Sequence, residues 1–440
     1  MISRRTFLDG LAVTAAAAAV TPTAKSYAQI LGSNDRINFA IIGLNSRAYA
    51  HLAGLKANQK DMRVTHVCDV DKVILQRFAG RLQNDLGYAA KTHQDFREML
   101  PSRDIDAITI ATPDHWHTPL AIDGLRAGKH VYVEKPCSHN PAEGALLVEA
   151  QKKYDKRVQM GTQRRSSHLY IDLVKKIQDG LIGRAYYAKG WYCNTRKSMG
   201  IGKPVAVPAT LDWDLWQGPV PRSEYKDNIH PYNWHWLRRY GTGEALNNGT
   251  HETDVSRWIM GVTFPNRITA AGGRYAYKDD WQFYDTLNTS FVYDDDKLIE
   301  WEGRSCNGMK FYGRDRGNLI VGTTGSVVVD AAGYEIYDLK GRKTGEFVQG
   351  KAAASSDLTG EDGMTNLHFA NFIAGVRGTE KLHQPIESGN ISVTNLQLSN
   401  IAYFVNRELN IDPTNGHIKN DPEAMKYWGR TYEKGWAPHI

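Results

Sequence analysis

Between residue 37 and about residue 161 the chain alternates near-continuous apolar runs with amphipathic stretches. "NFAIIG" reads as a strand that passes through a tight turn into a helix reaching Leu55. "VTHVCDVD", "IDAITIATP" and "HVYVEKP" read as three further strands. Helical patterns follow them, notably over residues 118–127 and 141–154. Strands that are apolar on both faces and separated by helices predict a parallel, doubly wound sheet. Ligands of such sheets sit at the carboxyl ends of the strands. The polar residues that close these runs therefore converge on one crevice: Gly43, Asp69, the segment from Thr112 to His117, and Glu134-Lys135.

Beyond about residue 158 the pattern changes. "RAYYAKGWYCN", "RITAAGGRYAY", "LNTSFVYDDDKLIEWEG" and "GNLIVGTTGSVVVDAAGYEIYDL" read as antiparallel strands and turns, with helices around residues 251–260 and 389–409. The predicted class is α/β. A Rossmann-type doubly wound parallel sheet over residues 35–160 precedes an α+β domain over 161–440, with a large open, mainly antiparallel sheet and C-terminal helices. Residues 350–363, "GKAAASSDLTGEDG", read as a mobile surface loop. An open sheet face needs a cover, which predicts a homodimer or homotetramer.

Composition narrows the function. With 41% hydrophobic and 23% charged residues in 440, the chain is of ordinary globular make-up. A net charge of +6 without a run of Lys or Arg argues against nucleic-acid binding. The 11 Trp and 22 Tyr serve cores first, but their number also suits a sugar-binding cleft. Cys68, Cys137, Cys193 and Cys306 are far apart and show no metal-ligand spacing, so no metal site is expected.

The N-terminus, "MISRRTFLDGLAVTAAAAAVTPTAKSYAQ", pairs Arg4 and Arg5 before Phe7, Leu8 and an alanine-rich run. This reads as a twin-arginine export signal over residues 1–28, with cleavage after Ser26-Tyr27-Ala28. The run is too short and too weakly apolar for a membrane span. The expected location is the periplasm, or another compartment reached through the twin-arginine machinery, which carries folded proteins. Disulfides are then not essential.

The first turn, "GLNSRA", holds only one glycine of a G-x-G-x-x-G fingerprint. Gly43 permits the tight turn, and Ala48 can serve where the third glycine allows close helix packing. Asn45 stands for the second glycine as a residue tolerant of left-handed backbone angles. Ser46 and Arg47 add a hydroxyl and a charge for a phosphate at the helix N-terminus. Asp69, with Asp71 as a competitor, closes the second strand. A carboxylate there accepts ribose hydroxyls and repels a 2′-phosphate, favouring NAD over NADP. Thr112, Pro113, Asp114, Trp116 and His117 are expected to rim the dinucleotide; a metal at this cluster is the weaker reading. Lys135 closes the fourth strand before a proline, where a crevice lysine would bond a substrate hydroxyl beside the nicotinamide.

"ATPDHWH" and "VYVEKP" resemble segments of the glucose–fructose oxidoreductase/inositol dehydrogenase/MocA family. "LDWDLWQGPVP", "YNWHWLRRYGTGEALNNGTHETDVSRWIMG", "HFANFIAGVRG" and "LSNIAYFVNRELNIDP" resemble later parts of it, so the likeness spans most of the chain. The family's E-K-P lysine and the histidine of its G-x-x-x-D-x-G-x-H-x-x-D pattern flank the nicotinamide. The resemblance thus implies Lys135 and His251 as catalytic residues, with Asp254 the later acid. It also places Glu134 and Gln163 at the cofactor. Asn247 stands where the pattern has aspartate; it can hold a sugar hydroxyl but cannot take its proton, which shifts the base role to His251. The spacing of Asn247, His251, Asp254 and Trp258 predicts one shared helix face. Tyr192, Arg196, Trp234 and His235 are further candidates for substrate contact.

The expected activity is that of an exported NAD(P)-dependent oxidoreductase. It would move a hydride between a sugar, glycoside or polyol carbon and a tightly held nicotinamide. An NAD-dependent glycosidase acting by transient ring oxidation uses the same residues. A non-catalytic sugar-binding protein is the third reading, invited by Asn247.

Overall fold

The computed structural model describes residues 36–349 and 363–440. The export signal expected at residues 1–28 and nearly all of the loop expected at 350–363 lie outside them. Phe39, Ala40, Ile41 and Ile42 of β1 (Ile37–Ile42) are all buried. Burying one such Phe or Ile contributes roughly 1.5–3 kcal/mol, so this short strand makes a strong centre for a sheet. β1 lies between β2 (Met62–Cys68) and β4 (Ala107–Ile110). The complete order is β3-β2-β1-β4-β5-β6, with β3 (Lys91–His93), β5 (His130–Val133) and β6 (Val158–Met160), all parallel. The order reverses direction at β1, opening a crevice between the ends of β1 and β4.

Helices α1 (Ala48–Ala57), α2 (Lys72–Leu86), α3 (His117–Arg126) and α4 (Pro141–Tyr154) connect these strands. Local chemistry sets their ends. The Asp71 side chain caps α2 by accepting from Val73 N, and Gly87 closes it at φ 78°. Asn140 caps α4 by accepting from Glu143 N, with Pro141 in its first turn. Asp71 is therefore a capping residue rather than a rival of Asp69.

After α5 (His168–Gln178) comes β7 (Ala185–Cys193), then α6 (Gly243–Asn247) and α7 (Gly249–Met260). β8 (Arg267–Gly273), β9 (Thr286–Tyr293), β10 (Lys297–Arg304), β11 (Arg316–Gly322), β12 (Gly325–Asp330), β13 (Gly333–Asp338) and β14 (Lys343–Val348) follow. They join a nine-stranded sheet of order β14-β13-β12-β11-β7-β10-β9-β8-β15, with β15 at Leu409–Asn410. The sheet is mainly antiparallel. β7 and β10, expected as antiparallel strands, pair in parallel because β7 reaches the sheet from the Rossmann side.

α8 (Gly363–Arg377) departs from a simple division at residue 160. It packs back on the first sheet, where Phe369 stacks on Tyr132 at 4.4 Å between ring centroids. A Cβ on Gly54 of α1 would lie 2.6 Å from the Phe369 ring, so that glycine sets the approach of α8. α9 (Ile386–Val405) lies with α7 against the second sheet. The four cysteines are unpaired.

Candidate functional site

The crevice at the ends of β1, β2, β4 and β5 is a cleft of about 1280 Å³ counted to its open mouth. Gly43, Asn45, Ser46, Arg47, Asp69, Thr112, Pro113, Asp114, Trp116, His117, Glu134 and Lys135 all line it. Gln163 opens the turn after β6 and is not among the lining residues.

The phosphate turn is built around Gly43. Its φ is 79°, and a Cβ there would stand 2.7 Å from Thr112 N and 2.8 Å from Ala111 C. Only glycine satisfies both limits. Besides Gly43, the residue of the turn with positive φ is Ser46, at 42°, not Asn45. Asn45 instead accepts a hydrogen bond from Arg77 at 3.2 Å through Oδ1. Ala48 is fully buried, as close packing of helix on strand requires.

Asp69 receives the main-chain N–H of Leu44 at 2.7 Å and of Asp71 at 2.9 Å, one on each oxygen. These bonds aim the carboxylate at the turn and leave lone pairs for ribose hydroxyls. Burial raises its pKa to about 6. A cradle that excludes a Cβ, beside an oriented carboxylate, fits a dinucleotide.

Several residues expected to touch the cofactor are already engaged with protein. Glu134 accepts from Arg47 Nε at 2.7 Å and pairs with His51 Nε2 at 3.0 Å. Despite burial its pKa lies well below the usual range, with Arg47 the strongest lowering influence. Arg47 is thus held by Glu134, and also by Thr365 at 3.2 Å, rather than left as a bare charge for a phosphate. The two ring nitrogens of His117 face Pro136 O at 2.6 Å and Thr112 O at 2.8 Å, bracing the ends of β4 and β5 against each other. Asp114 accepts from the Thr242 hydroxyl at 2.5 Å, and burial raises its pKa. The Trp116 indole donates to Trp216 O at 3.0 Å and packs against Gly218, which has no room for a side chain.

Across the cleft, Lys135 Nζ donates to the main-chain oxygen of Asn247 and lies 3.3 Å from its Oδ1. Burial lowers the Lys135 pKa; Glu134 and Asp114 oppose the shift. His251 begins the next helical turn and does not line the cleft. Its Nδ1 has no hydrogen-bond partner among the described residues. Burial first, then Lys135, Arg316 and Arg164, hold its pKa well below 6.5. The free-imidazole value near neutrality expected from sequence is therefore corrected: His251 is a neutral, weakly basic ring.

Asp254 is a second correction. Asn248 separates α6 from α7, so the four residues do not share one continuous helix. The Asp254 carboxylate is buried and takes two bonds from Arg165 at 2.7 and 2.9 Å, one from Gln384 at 2.9 Å and one from Ser392 at 2.6 Å. It ties α7 to the core and does not reach the cleft. Trp258 lies beneath the same Arg165 guanidinium, 4.6 Å from ring centroid to Cζ.

The second domain closes the cleft with Leu215, Trp216, His230, Pro231, Tyr232, Trp234 and His235. Trp234 and His235 stack at 3.6 Å, and burial pushes the His235 pKa down to about 3. Arg196 and Tyr192 stand outside the lining. Arg196 donates 2.6 Å to Glu244 and 3.0 Å to the Tyr232 hydroxyl, so it supports the wall from behind. The Tyr192 ring lies 5.2 Å from the Arg316 guanidinium carbon, and its hydroxyl accepts from Asn194 at 2.5 Å.

Glu244 was missed by sequence reasoning. Buried at 1% exposure, it also takes bonds from Ser305 at 3.1 Å and from Asn247 at 3.4 Å. The only signal in the sequence is its position three residues before Asn247, on the same short helix.

Residues 37–162 match the model of an oxidoreductase family with an NAD-binding Rossmann fold, the Gfo/Idh/MocA family. Inositol 2-dehydrogenase of Salmonella typhimurium is 30% identical over 175 residues, 39% of this chain and 50% of that protein. The chain thus spans about half the length of the inositol dehydrogenases it matches. Glycosyl hydrolase family 109 protein 2 of Shewanella sp. is 26% identical over 301 residues, 63% of this chain and 62% of that protein. The likeness of fold extends beyond residues 37–162. The WlbA dehydrogenase from Bordetella pertussis, solved with NADH and UDP-GlcNAcA, superposes with a TM-score of 0.63 at 19% identity, covering 86% of this chain and 99% of that one. Levoglucosan dehydrogenase with NADH and levoglucosan gives 0.65 at 17% identity, covering 85% and 99%.

Proposed function

We propose that the protein is an exported oxidoreductase acting on a sugar, glycoside or polyol, with NAD held in the cleft throughout turnover. One observation carries this reading. Lys135 and Asn247 open onto the same cleft as the Gly43 turn and Asp69, facing the aromatic wall of Tyr232, Trp234 and His235.

NAD, when bound, supplies the hydride acceptor or donor. The protein's residues do the rest. The Gly43 turn and the start of α1 receive the pyrophosphate, and Asp69 takes ribose hydroxyls. Lys135 hydrogen-bonds the reacting substrate oxygen. Its lowered pKa suits it to take a proton from a hydroxyl or return one to a carbonyl. Asn247 orients Lys135 and offers an amide to a neighbouring hydroxyl. His251 lies outside the cleft lining, and burial and then Lys135 disfavour its cationic form. The ring wall suits the C–H faces of a carbohydrate.

Retention of the cofactor is supported by a strap across the cleft. Lys72 N donates to Thr210 O at 3.0 Å and Asp212 N to Val70 O at 3.0 Å, next to Asp69. Leu215 and Trp216 follow directly and form part of the cleft wall. Retention also answers the lack of free NAD outside the cytoplasm: the folded protein would leave through the twin-arginine machinery already loaded. Denaturing the purified protein should release about one NAD per chain, NADP being disfavoured by Asp69. No released nucleotide, with micromolar or weaker rebinding, sinks this part. A homodimer or homotetramer covering the open sheet face completes the proposal.

The similarity to glycosyl hydrolase family 109 proteins favours one second reading: transient oxidation, elimination and re-reduction, with net hydrolysis. Release of an aryl aglycone without accumulating NADH distinguishes it from net redox. A purely sugar-binding role predicts neither.

A further inference from the structure

A second cavity, of about 780 Å³ and open to solvent, lies behind the Lys135 loop. Arg238, Arg239, Arg430 and His139 line it, and no carboxylate does. The Arg238 guanidinium carbon lies over the Phe404 ring, 3.7 Å from its centroid, with the Tyr427 centroid at 5.4 Å. Cation–π contact holds the guanidinium over the ring and leaves it free to donate hydrogen bonds. Neither Arg238 nor Arg239 has an ion-pair partner among the described residues.

Arg430 is deeper. Its side chain is 10% exposed, with Nε bound to Glu143 at 2.7 Å and Nη2 to His115 O at 2.7 Å. Its Nη1 is buried without a partner, as are Asn140 Nδ2 and Gln397 Oε1 on the same cavity wall. An unmet buried donor or acceptor costs about 1–3 kcal/mol. The exposed Arg238 and Arg239 on a cavity that no carboxylate lines describe a site for an oxyanion.

We propose that this cavity binds a small anion bearing a phosphate or a carboxylate, separate from both NAD and the substrate. Arg238 and Arg239 take the oxyanion, with Arg430 behind them held by Glu143. Thr242 forms part of the wall and bonds Asp114 of the cofactor cleft, while Arg430 holds the carbonyl of His115 next to it. An occupant therefore adjoins the β4 loop from the side opposite the cofactor.

The test is calorimetric titration of the full-length, NAD-saturated protein at fixed ionic strength. Inorganic phosphate is the probe in one arm and gluconate in the other. Saturable binding in either arm is expected, weakened about tenfold or more by Arg238→Ala with Arg239→Ala. Both residues are exposed, so the variant should fold. A response to phosphate alone assigns a phosphate-bearing ligand, and a response to gluconate assigns a sugar acid. No saturable binding in either arm, or binding that the double substitution leaves unchanged, overturns the proposal.

Discussion

The ammonium of Lys135 donates to the main-chain oxygen of Asn247 and sits 3.3 Å from its side-chain oxygen. The first sheet and helix α6 thus meet at one nitrogen, and both hold it in place before any substrate arrives. With a neutral amide as partner, the amine keeps the depression of its pKa that burial imposes.

Replacing Lys135 with Ala removes the group that handles the proton. Hydride transfer is expected to fall by about 10²–10⁴. NAD content should be largely unchanged, because the phosphate turn and Asp69 are untouched. Single-turnover absorbance of the nicotinamide, together with nucleotide content, checks both halves.

Asn247→Asp places a carboxylate against the same amine. A neighbouring negative charge favours the ammonium, so the Lys135 pKa rises. If the neutral amine is the working base, activity grows as pH rises through that pKa. The rising limb of kcat/KM should therefore move to higher pH in the variant. An unmoved limb separates Lys135 from the proton transfer.

Asp69 ties cofactor affinity to pH. Its pKa in the free protein is about 6, raised by burial. Ribose hydroxyls donate more strongly to the ionised form, so binding favours the carboxylate and lowers that value. NAD affinity should weaken as pH falls through about 6. In that window binding should release a proton, visible as a calorimetric enthalpy that depends on the buffer.

Much of the first domain was legible because each strand reports itself as an apolar run and each ends on a polar residue. Gly43, Asp69 and Lys135 followed from that periodicity, and all three share one cleft. The left-handed step at Ser46 was not legible. Asp254 misled: its helical spacing is consistent with facing the site, but Arg165, Gln384 and Ser392 come from elsewhere and claim it. α8 packs on the first sheet, although its sequence position assigns it to the second.

That correction has its own consequence. Asp254→Asn should leave KM of the folded protein close to wild type while costing about 3–5 kcal/mol of stability, because Arg165 stays buried without its partner. Denaturant unfolding monitored alongside substrate titration separates the two effects.

The central claim is hydride exchange between a carbohydrate and a nicotinamide that the protein already carries. Stopped-flow mixing of the purified protein, without added nucleotide, against a panel of sugars, glycosides and polyols tests it most directly. The account predicts that at least one compound changes the nicotinamide absorbance, with an amplitude set by the bound cofactor, and that Lys135→Ala loses this phase. An NAD-loaded protein whose spectrum responds to none of them, or a phase that survives in Lys135→Ala, would contradict it.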